Sequence, residues 1–274
     1  MSDWIWALII GFVLDLLLGD PSWLYHPVCI IGKYIGWMEK KLRRRGGNLR
    51  KSAVFLTAST VLLTMAVVAL ILMLCGLLGR LPLLIAMALL DWMGIAITSM
   101  AKEARGVEKA LGQGVAAGRT QVARIVGRDT QELSEEEIIK ATVETVSENT
   151  TDGVISPLLY AAIGGPILLW GFKAASTLDS MVGYLDEKYR DIGWSSARLD
   201  DVLNYIPARL TALLMVIASY LIGLDGKNAF RIVRRDHANH KSPNCAWSES
   251  AAAGALHIQL GGTHNYFGKP CLLY

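Results

Sequence analysis

The run SAVFLTASTVLLTMAVVALILMLCGLLG occupies residues 52–79, between Lys51 and Arg80, and carries no charged side chain. As a helix rising 1.5 Å per residue it is about 42 Å long, against a bilayer core of roughly 30 Å. A soluble helix keeps a polar face toward water, and this run has only scattered hydroxyls and a thiol. It predicts a membrane span, and with it an integral membrane protein.

The rest of the chain fits that reading. It has 274 residues, 53% hydrophobic and 19% charged, with a mean hydropathy of +0.37; soluble domains carry about a quarter charged residues. Further apolar segments fall at 4–18, 82–101, 154–172 and 210–224. The first contains Asp15 and stops at Gly19-Asp20-Pro21. The segment at 82–101 contains Asp91, and the one at 154–172 is interrupted by Gly164-Gly165-Pro166. The last two segments read as crossings or re-entrant pieces, with the Gly-Gly-Pro segment expected to be re-entrant. The predicted fold class is all-α, a polytopic helical membrane protein forming one membrane domain over 1–274.

Other classes drop out. A net charge of +3 without a basic, aromatic-rich stripe excludes nucleic acid as a partner. Cys29, Cys75, Cys245 and Cys271 form no CxxC pair, so neither a zinc site nor a disulfide framework is expected. The N-terminus has no leading Lys or Arg and no small-residue cleavage site, and is expected to be a retained span.

Loop charge suggests orientation. Between Lys33 and Lys51 there are eight basic residues and the single acid Glu39. The positive-inside rule places that loop in the cytoplasm, with the N-terminus and the turn near Arg80-Leu81-Pro82 outside. Residues 102–153 then return to the cytoplasm as a soluble helical insert. Its first helix is predicted from Ala104, Val107, Leu111, Val115, Val122 and Ile125, runs through Gly112-Gln113-Gly114 and ends at Gly127. A second starts at the capping box Ser134…Glu137 and ends at Asp152-Gly153.

Three groups of residues could carry chemistry. Glu144, Glu148 and Asp152 share a helix face at i, i+4 and i+8. A solvated acidic face is the plain reading of that spacing, and a hard-cation site is the sharper one. The connection 173–209 mixes five basic with six acidic residues, along with hydroxyls and aromatics. It reads as a surface ion-pair network or as a site for phosphates and metal. Arg234-Arg235-Asp236 with His240, Lys241 and Gly261-Gly262 suits an anionic substrate group or a lipid headgroup. No P-loop, GxGxxG or GxSxG motif is present.

The motifs resemble a known family. Leu14-Asp15…Gly19-Asp20-Pro21 with His26-Pro27-Val28 is similar to the start of the CobD/CbiB family, membrane-bound adenosylcobinamide-phosphate synthases of cobalamin biosynthesis. Val143-Glu144-Thr145…Ser147-Glu148-Asn149-Thr150-Thr151-Asp152-Gly153 and Thr177-Leu178-Asp179-Ser180 continue the likeness. So do Glu187-Lys188-Tyr189-Arg190, Ala197-Arg198-Leu199-Asp200-Asp201, Asn204-Tyr205-Ile206-Pro207-Ala208-Arg209 and Ser242-Pro243-Asn244. Departures from the family pattern are Asp186, Cys245-Ala246 and Thr263-His264, and the resemblance implies a further apolar segment beyond Tyr274.

What the resemblance implies is an ATP- and Mg²⁺-dependent amide ligation in a multi-pass protein of the cell membrane. Adenosylcobyric acid would be joined to (R)-1-amino-2-propanol O-2-phosphate, through an acyl phosphate, to give adenosylcobinamide phosphate. Asp179, Lys188, Arg198, Asp200 and His26 are the catalytic candidates. Arg190, Arg209, Asn149 and Thr177 would hold nucleotide, and Glu148, Asp152 and Asp201 would hold Mg²⁺. Asp20 and His240 are weaker candidates for substrate contact. The partners expected are the two substrates and membrane lipid, with self-association left open. The competing expectations are a transporter using Asp15 and Asp91 as coupling groups, or a membrane sensor whose 102–153 insert docks other proteins.

Overall fold

The uncharged run is helical from its cap onward in the computed structural model, which describes residues 3–21, 23, 25–184, 186–266 and 269–272. Met1, Ser2, Tyr274 and the Thr263, His264 and Cys271 side chains lie outside that description. The described residues group into two units: Met1–Ala96 with Ser156–Asn204, and Ile97–Ile155 with Tyr205–Tyr274.

The first unit contains α1 (Asp3–Leu18), α2 (Pro27–Arg45), α3 (Leu49–Leu77), α4 (Arg80–Trp92), α8 (Ser156–Val182) and α9 (Trp194–Leu203). Asn48 caps α3 by accepting the Arg50 and Lys51 amides at 3.0 and 3.1 Å. Val54, Phe55, Leu62, Leu63 and Leu74 of α3 stay exposed, as side chains that face lipid should. α1 runs parallel to α4: Arg80 pairs with Asp3 at 2.7 Å at one end, and the Trp92 indole donates to the Gly19 carbonyl at 3.0 Å at the other. The N-terminus and the 78–80 turn therefore share an end. The core is built on Ile35, Leu56, Leu169, Trp170, Leu178, Val182 and Ile192. Asp15 and Asp91 are fully buried here, and neither Asp91 oxygen has a hydrogen-bond partner among the described residues.

α8 is broken where the sequence predicted. Gly164 (φ −143°) and Gly165 (φ +63°) leave helical geometry immediately before Pro166, because proline supplies no amide to the preceding turn and glycine alone adopts the positive φ without strain. The polar stretch after 172 is not one long connection. α8 continues to Val182 and α9 begins at Trp194, so the non-helical residues described between them are 183, 184 and 186–193. The apolar pattern ended before the helix did.

The second unit contains α5 (Ile97–Leu111), α6 (Val115–Val122), α7 (Glu135–Thr150), a π-helical turn (Thr151–Ile155), α10 (Tyr205–Leu221), α11 (Gly226–Asp236), α12 (Cys245–Leu256) and the antiparallel hairpin β1 (Thr263–Tyr266) and β2 (Lys269–Leu272). Two sequence expectations fail in this unit. The first insert helix breaks at 112–114, where Gly114 takes φ +124°, and its second half ends at Val122 rather than at Gly127. Asp152-Gly153 does not end the second helix: the chain passes through the π turn directly into α8. Ser134 opens α7 as read, with both capping-box bonds formed. Val107, Val122, Leu133, Ile138 and Ala141 form the core between α5, α6 and α7.

Among the described residues, three helical stretches are long and apolar enough to cross a membrane: Leu49–Leu77, Arg80–Leu111 and Glu135–Val182. A fourth is available if α9 and α10 count as one bent span. The chain is a polytopic α-helical membrane protein, with the short hairpin its one departure from all-helical structure among the described residues.

Candidate functional site

In the first unit the candidate residues collect at the end of α8, in the 183–193 loop and on α9. Thr177 donates its hydroxyl to the Lys173 carbonyl at 2.6 Å, one turn back on α8. Asp179 sits half-buried one turn before the helix end, and its carbonyl accepts the Gly183 amide at 2.8 Å. Asp186, placed where the family pattern differs, folds the loop by accepting the Tyr189 amide on its carboxylate at 2.8 Å. Lys188 is exposed, with its ammonium 4.4 Å from the Tyr189 ring centroid; the hydrogen bond to Tyr189 holds its pKa above the ordinary lysine value. Its carbonyl accepts the Arg43 guanidinium at 2.5 Å, which fastens the loop to α2. Arg190 and Arg198 are both exposed. Exposed cations on a short, fastened loop can meet an incoming phosphate without first losing a buried partner.

On α9, Asp200 and Asn204 are one turn apart. The Asn204 amide donates to Asp200 at 3.0 Å, while its carbonyl oxygen accepts the Ser156 hydroxyl at 2.6 Å. Asp201 feels the charge of Arg198, three residues back. His26 has a structural task here. Its Nδ1 accepts the Val28 amide at 3.2 Å as the α2 N-cap, Met93 supplies a backbone partner, and the ring lies 6.3 Å from Trp170. Burial lowers its pKa, and the nearby Asp20 only partly offsets this.

In the second unit the three spaced acids divide their tasks. Glu144 forms a buried ion pair with Arg128, and its other oxygen accepts the Gly261 amide at 2.7 Å. Glu148 accepts the Cys245 thiol at 3.1 Å. Burial, and then the Glu148 charge, pushes that thiol well above its ordinary value, so it stays protonated and unreactive. Asp152 lies half-buried in the π turn, a feature common at functional sites. The Asn149 amide is spent on the Thr145 carbonyl of its own helix at 2.9 Å. Arg209 is stacked against the Tyr205 and Trp247 rings at 3.4 and 4.7 Å. His240 accepts the Ser242 amide at 2.8 Å, and burial pushes it down to about 4.

Arg128 and Glu249 were missed in the sequence. Glu249 belongs to the same acidic group: burial, with the charges of Glu148 and Glu144, pushes it up to about 8. A lone acid in the small-residue stretch 245–256 was the signal that could have found it. Nothing in the local spacing pointed to Arg128.

For Mg²⁺ the donor set is lean. Among the described residues no three His, Cys, Asp or Glu side chains converge as a metal cage. Magnesium held together with nucleotide takes one or two carboxylates and completes its shell with phosphate and water. Glu148 and Asp152 in the second unit, and Asp201 by itself in the first, fit only that second mode.

A family model described as CobD/Cbib protein matches residues 8–272. The chain is 52% identical over 263 residues to a protein of Pelobacter propionicus named cobalamin biosynthesis protein CobD, covering 96% of this chain and 81% of the relative. It is 50% identical to a Listeria monocytogenes protein of the same name, over 94% of this chain and 83% of that one. It is 45% identical to cobalamin biosynthesis protein CbiB of Salmonella typhi, over 96% and 84%. No solved structure matches.

Proposed function

The chain belongs to the CobD/CbiB family and has a role in cobalamin biosynthesis; on that premise we propose that it is the ATP-dependent ligase joining adenosylcobyric acid to aminopropanol phosphate in the cell membrane. The observation that carries this reading is the family match across 8–272, with Lys188, Arg190 and Arg198 exposed on the loop after α8 and on α9, the helix that also carries Asp200 and Asp201.

The chemistry explains why such groups are needed. A carboxylate does not condense with an amine unaided, because hydroxide is a poor leaving group. Transfer of the ATP γ-phosphoryl to the carboxylate gives an acyl phosphate and ADP. The amine then attacks the carbonyl, and the C–O bond to phosphate breaks as the amide forms. Lys188, Arg190 and Arg198 of the first unit would bind phosphoryl oxygens and stabilise charge on the group in flight. Asp179 and Asp200 would orient the reacting groups, with the Asn204–Ser156 chain fixing the Asp200 rotamer. Mg²⁺, held by Glu148 or Asp152 in the second unit or by Asp201 in the first, would neutralise charge at the phosphates. Water must stay out, or the acyl phosphate hydrolyses.

Adenosylcobyric acid labelled with ¹⁸O in the reacting carboxylate tests the route. One labelled oxygen should appear in inorganic phosphate for each amide formed. Amide formed with unlabelled phosphate would rule the acyl phosphate out.

A further inference from the structure

One side of α2 changes character along its length. Positions 30, 34, 37, 41 and 45 recur every three or four residues and so stack along one face of the helix. That face begins with Ile30 and Tyr34, passes through Trp37 and closes on Lys41 and Arg45. The Tyr34 and Trp37 rings meet at 6.0 Å, and the Lys41 ammonium lies 4.8 Å from the Trp37 ring centroid. Arg43 and Arg50 nearby are engaged by Glu39 and Asp191. Lys41 and Arg45 are exposed and have no ion pair among the described residues.

Beside the apolar half lies a groove of about 340 Å³, wholly within the first unit. α3 returns along α2 after the turn at 46–48 and supplies Leu63, Val67 and Ile71 to the wall. Those three and Ile30 stay exposed, so the groove opens outward from a helix long enough to span the bilayer. Buried Trp170 of α8 closes the inner side. Its indole N–H is spent on the Leu90 carbonyl at 3.0 Å, and the Thr60 hydroxyl on the Leu56 carbonyl at 2.8 Å. The wall that remains is almost all hydrocarbon. A polar ligand would lose its hydrogen bonds to water there and gain few in return, whereas an alkyl chain loses none.

From Ile30 to Lys41 the helix rises about 16 Å, half of a hydrocarbon core roughly 30 Å thick. A chain lying in the groove therefore brings its headgroup to Lys41 and Arg45, with Trp37 at the depth where aromatic side chains collect. We propose that this face is a specific site for one anionic phospholipid, its acyl chain in the α2–α3 groove and its phosphate on Lys41 and Arg45. The positive-inside rule puts the basic end at the cytoplasmic leaflet, whose surface is negative. A zwitterionic lipid offers the same acyl chain without the net charge. The proposal does not rest on the ligase reading.

Native mass spectrometry of the full chain, released from micelles holding equal amounts of phosphatidylglycerol and phosphatidylethanolamine with matched chains, tests it. Wild type should retain one phosphatidylglycerol, preferred about tenfold, since each juxtamembrane cation favours an anionic lipid roughly fivefold. Lys41→Gln with Arg45→Gln should bring the preference to within about twofold. Val67→Trp, which fills the groove, should remove retention of both lipids. All three side chains are exposed, so the variants should fold, and circular dichroism checks this. Phosphatidylglycerol with a diazirine in its acyl chain should label peptides of α2 and α3. Arg231→Gln, on the basic α11 of the second unit, should change nothing. Equal retention of the two lipids by wild type, unchanged retention in the α2 and α3 variants, or labelling on α1 or α10 instead would each overturn the proposal. So would an equal loss of preference in Arg231→Gln, which would reduce the effect to overall charge.

Discussion

Arg128 and Glu144 form a buried ion pair within the second unit, 16 residues apart in sequence, and Glu144 also holds the Gly261 amide at 2.7 Å. One carboxylate thus fastens the start of the acidic motif to both the loop before α7 and the Gly-Gly turn after α12. Removing the cation leaves Glu144 buried among Glu148 and Glu249. Arg128→Met should cost about 3–5 kcal/mol, read by thermal unfolding in detergent. Adding Glu144→Gln to it should recover a large part. A double variant no better than the single one would show that the pair's charge is not what matters.

The exposed cations should behave differently. Arg190 and Arg198 are both exposed, so Arg190→Gln and Arg198→Gln should move stability by less than about 0.5 kcal/mol. The KM for ATP should rise roughly tenfold for each, about 1.4 kcal/mol of phosphate binding. Steady-state kinetics with ATP varied reads this; an unchanged KM in both variants would take them out of the nucleotide site.

Asp200 is held by Asn204, which is held in turn by Ser156. Asp200→Asn keeps the shape and removes the charge, and is expected to lower kcat by about 100-fold, the scale of a lost electrostatic or acid–base group. Circular dichroism would confirm the fold. Wild-type turnover at every Mg²⁺ concentration would remove Asp200 from the site.

Stability should depend on pH through two buried groups with opposite signs. Between about 4 and 6.5 an unfolded chain binds a proton at His240 that the folded chain refuses, so His240 makes stability rise with pH. Between 4.5 and about 8 the folded chain keeps a proton on Glu249 that the unfolded chain has lost, so Glu249 makes stability fall with pH. The two offset each other from 4.5 to 6.5, and a decline should remain from 6.5 to 8. Unfolding temperatures across that window should show the decline in wild type and a flatter profile in Glu249→Gln. An equally steep profile in that variant would place the effect elsewhere.

Asp91 separates the ligase from a transporter. It is buried without a hydrogen-bond partner among the described residues, so a coupling role would make its charge indispensable. Under the ligase reading Asp91→Asn should keep turnover within about twofold, given that neutral side chains are tolerated more easily inside a span. Turnover abolished in a well-folded Asp91→Asn protein would contradict that.

What could be read from the sequence was local. The uncharged 52–79 run, the Ser134–Glu137 box and the Gly164-Gly165-Pro166 break each depend on neighbours a few residues away, and each appears where the sequence placed it. Asp152-Gly153 misled because a glycine that would end an exposed helix is here buried, and the chain widens into a π turn instead of stopping. The 104–125 periodicity misled because apolar spacing carries on across the break at Gly114. The site candidates came from motifs, yet Thr177 and Asn149, read as nucleotide-binding, spend side-chain groups on their own helices. Arg128 and Glu249 acquire meaning only when α7 and α12 pack together, a relation with no trace in spacing.

The most direct test is turnover by the purified protein in detergent, given ATP, Mg²⁺, adenosylcobyric acid and aminopropanol phosphate. ADP release and the mass of the corrinoid would be followed together. The account predicts one ADP per condensed corrinoid, with product lost when any of the four components is left out. Folded protein that releases no ADP and leaves the corrinoid mass unchanged would contradict it.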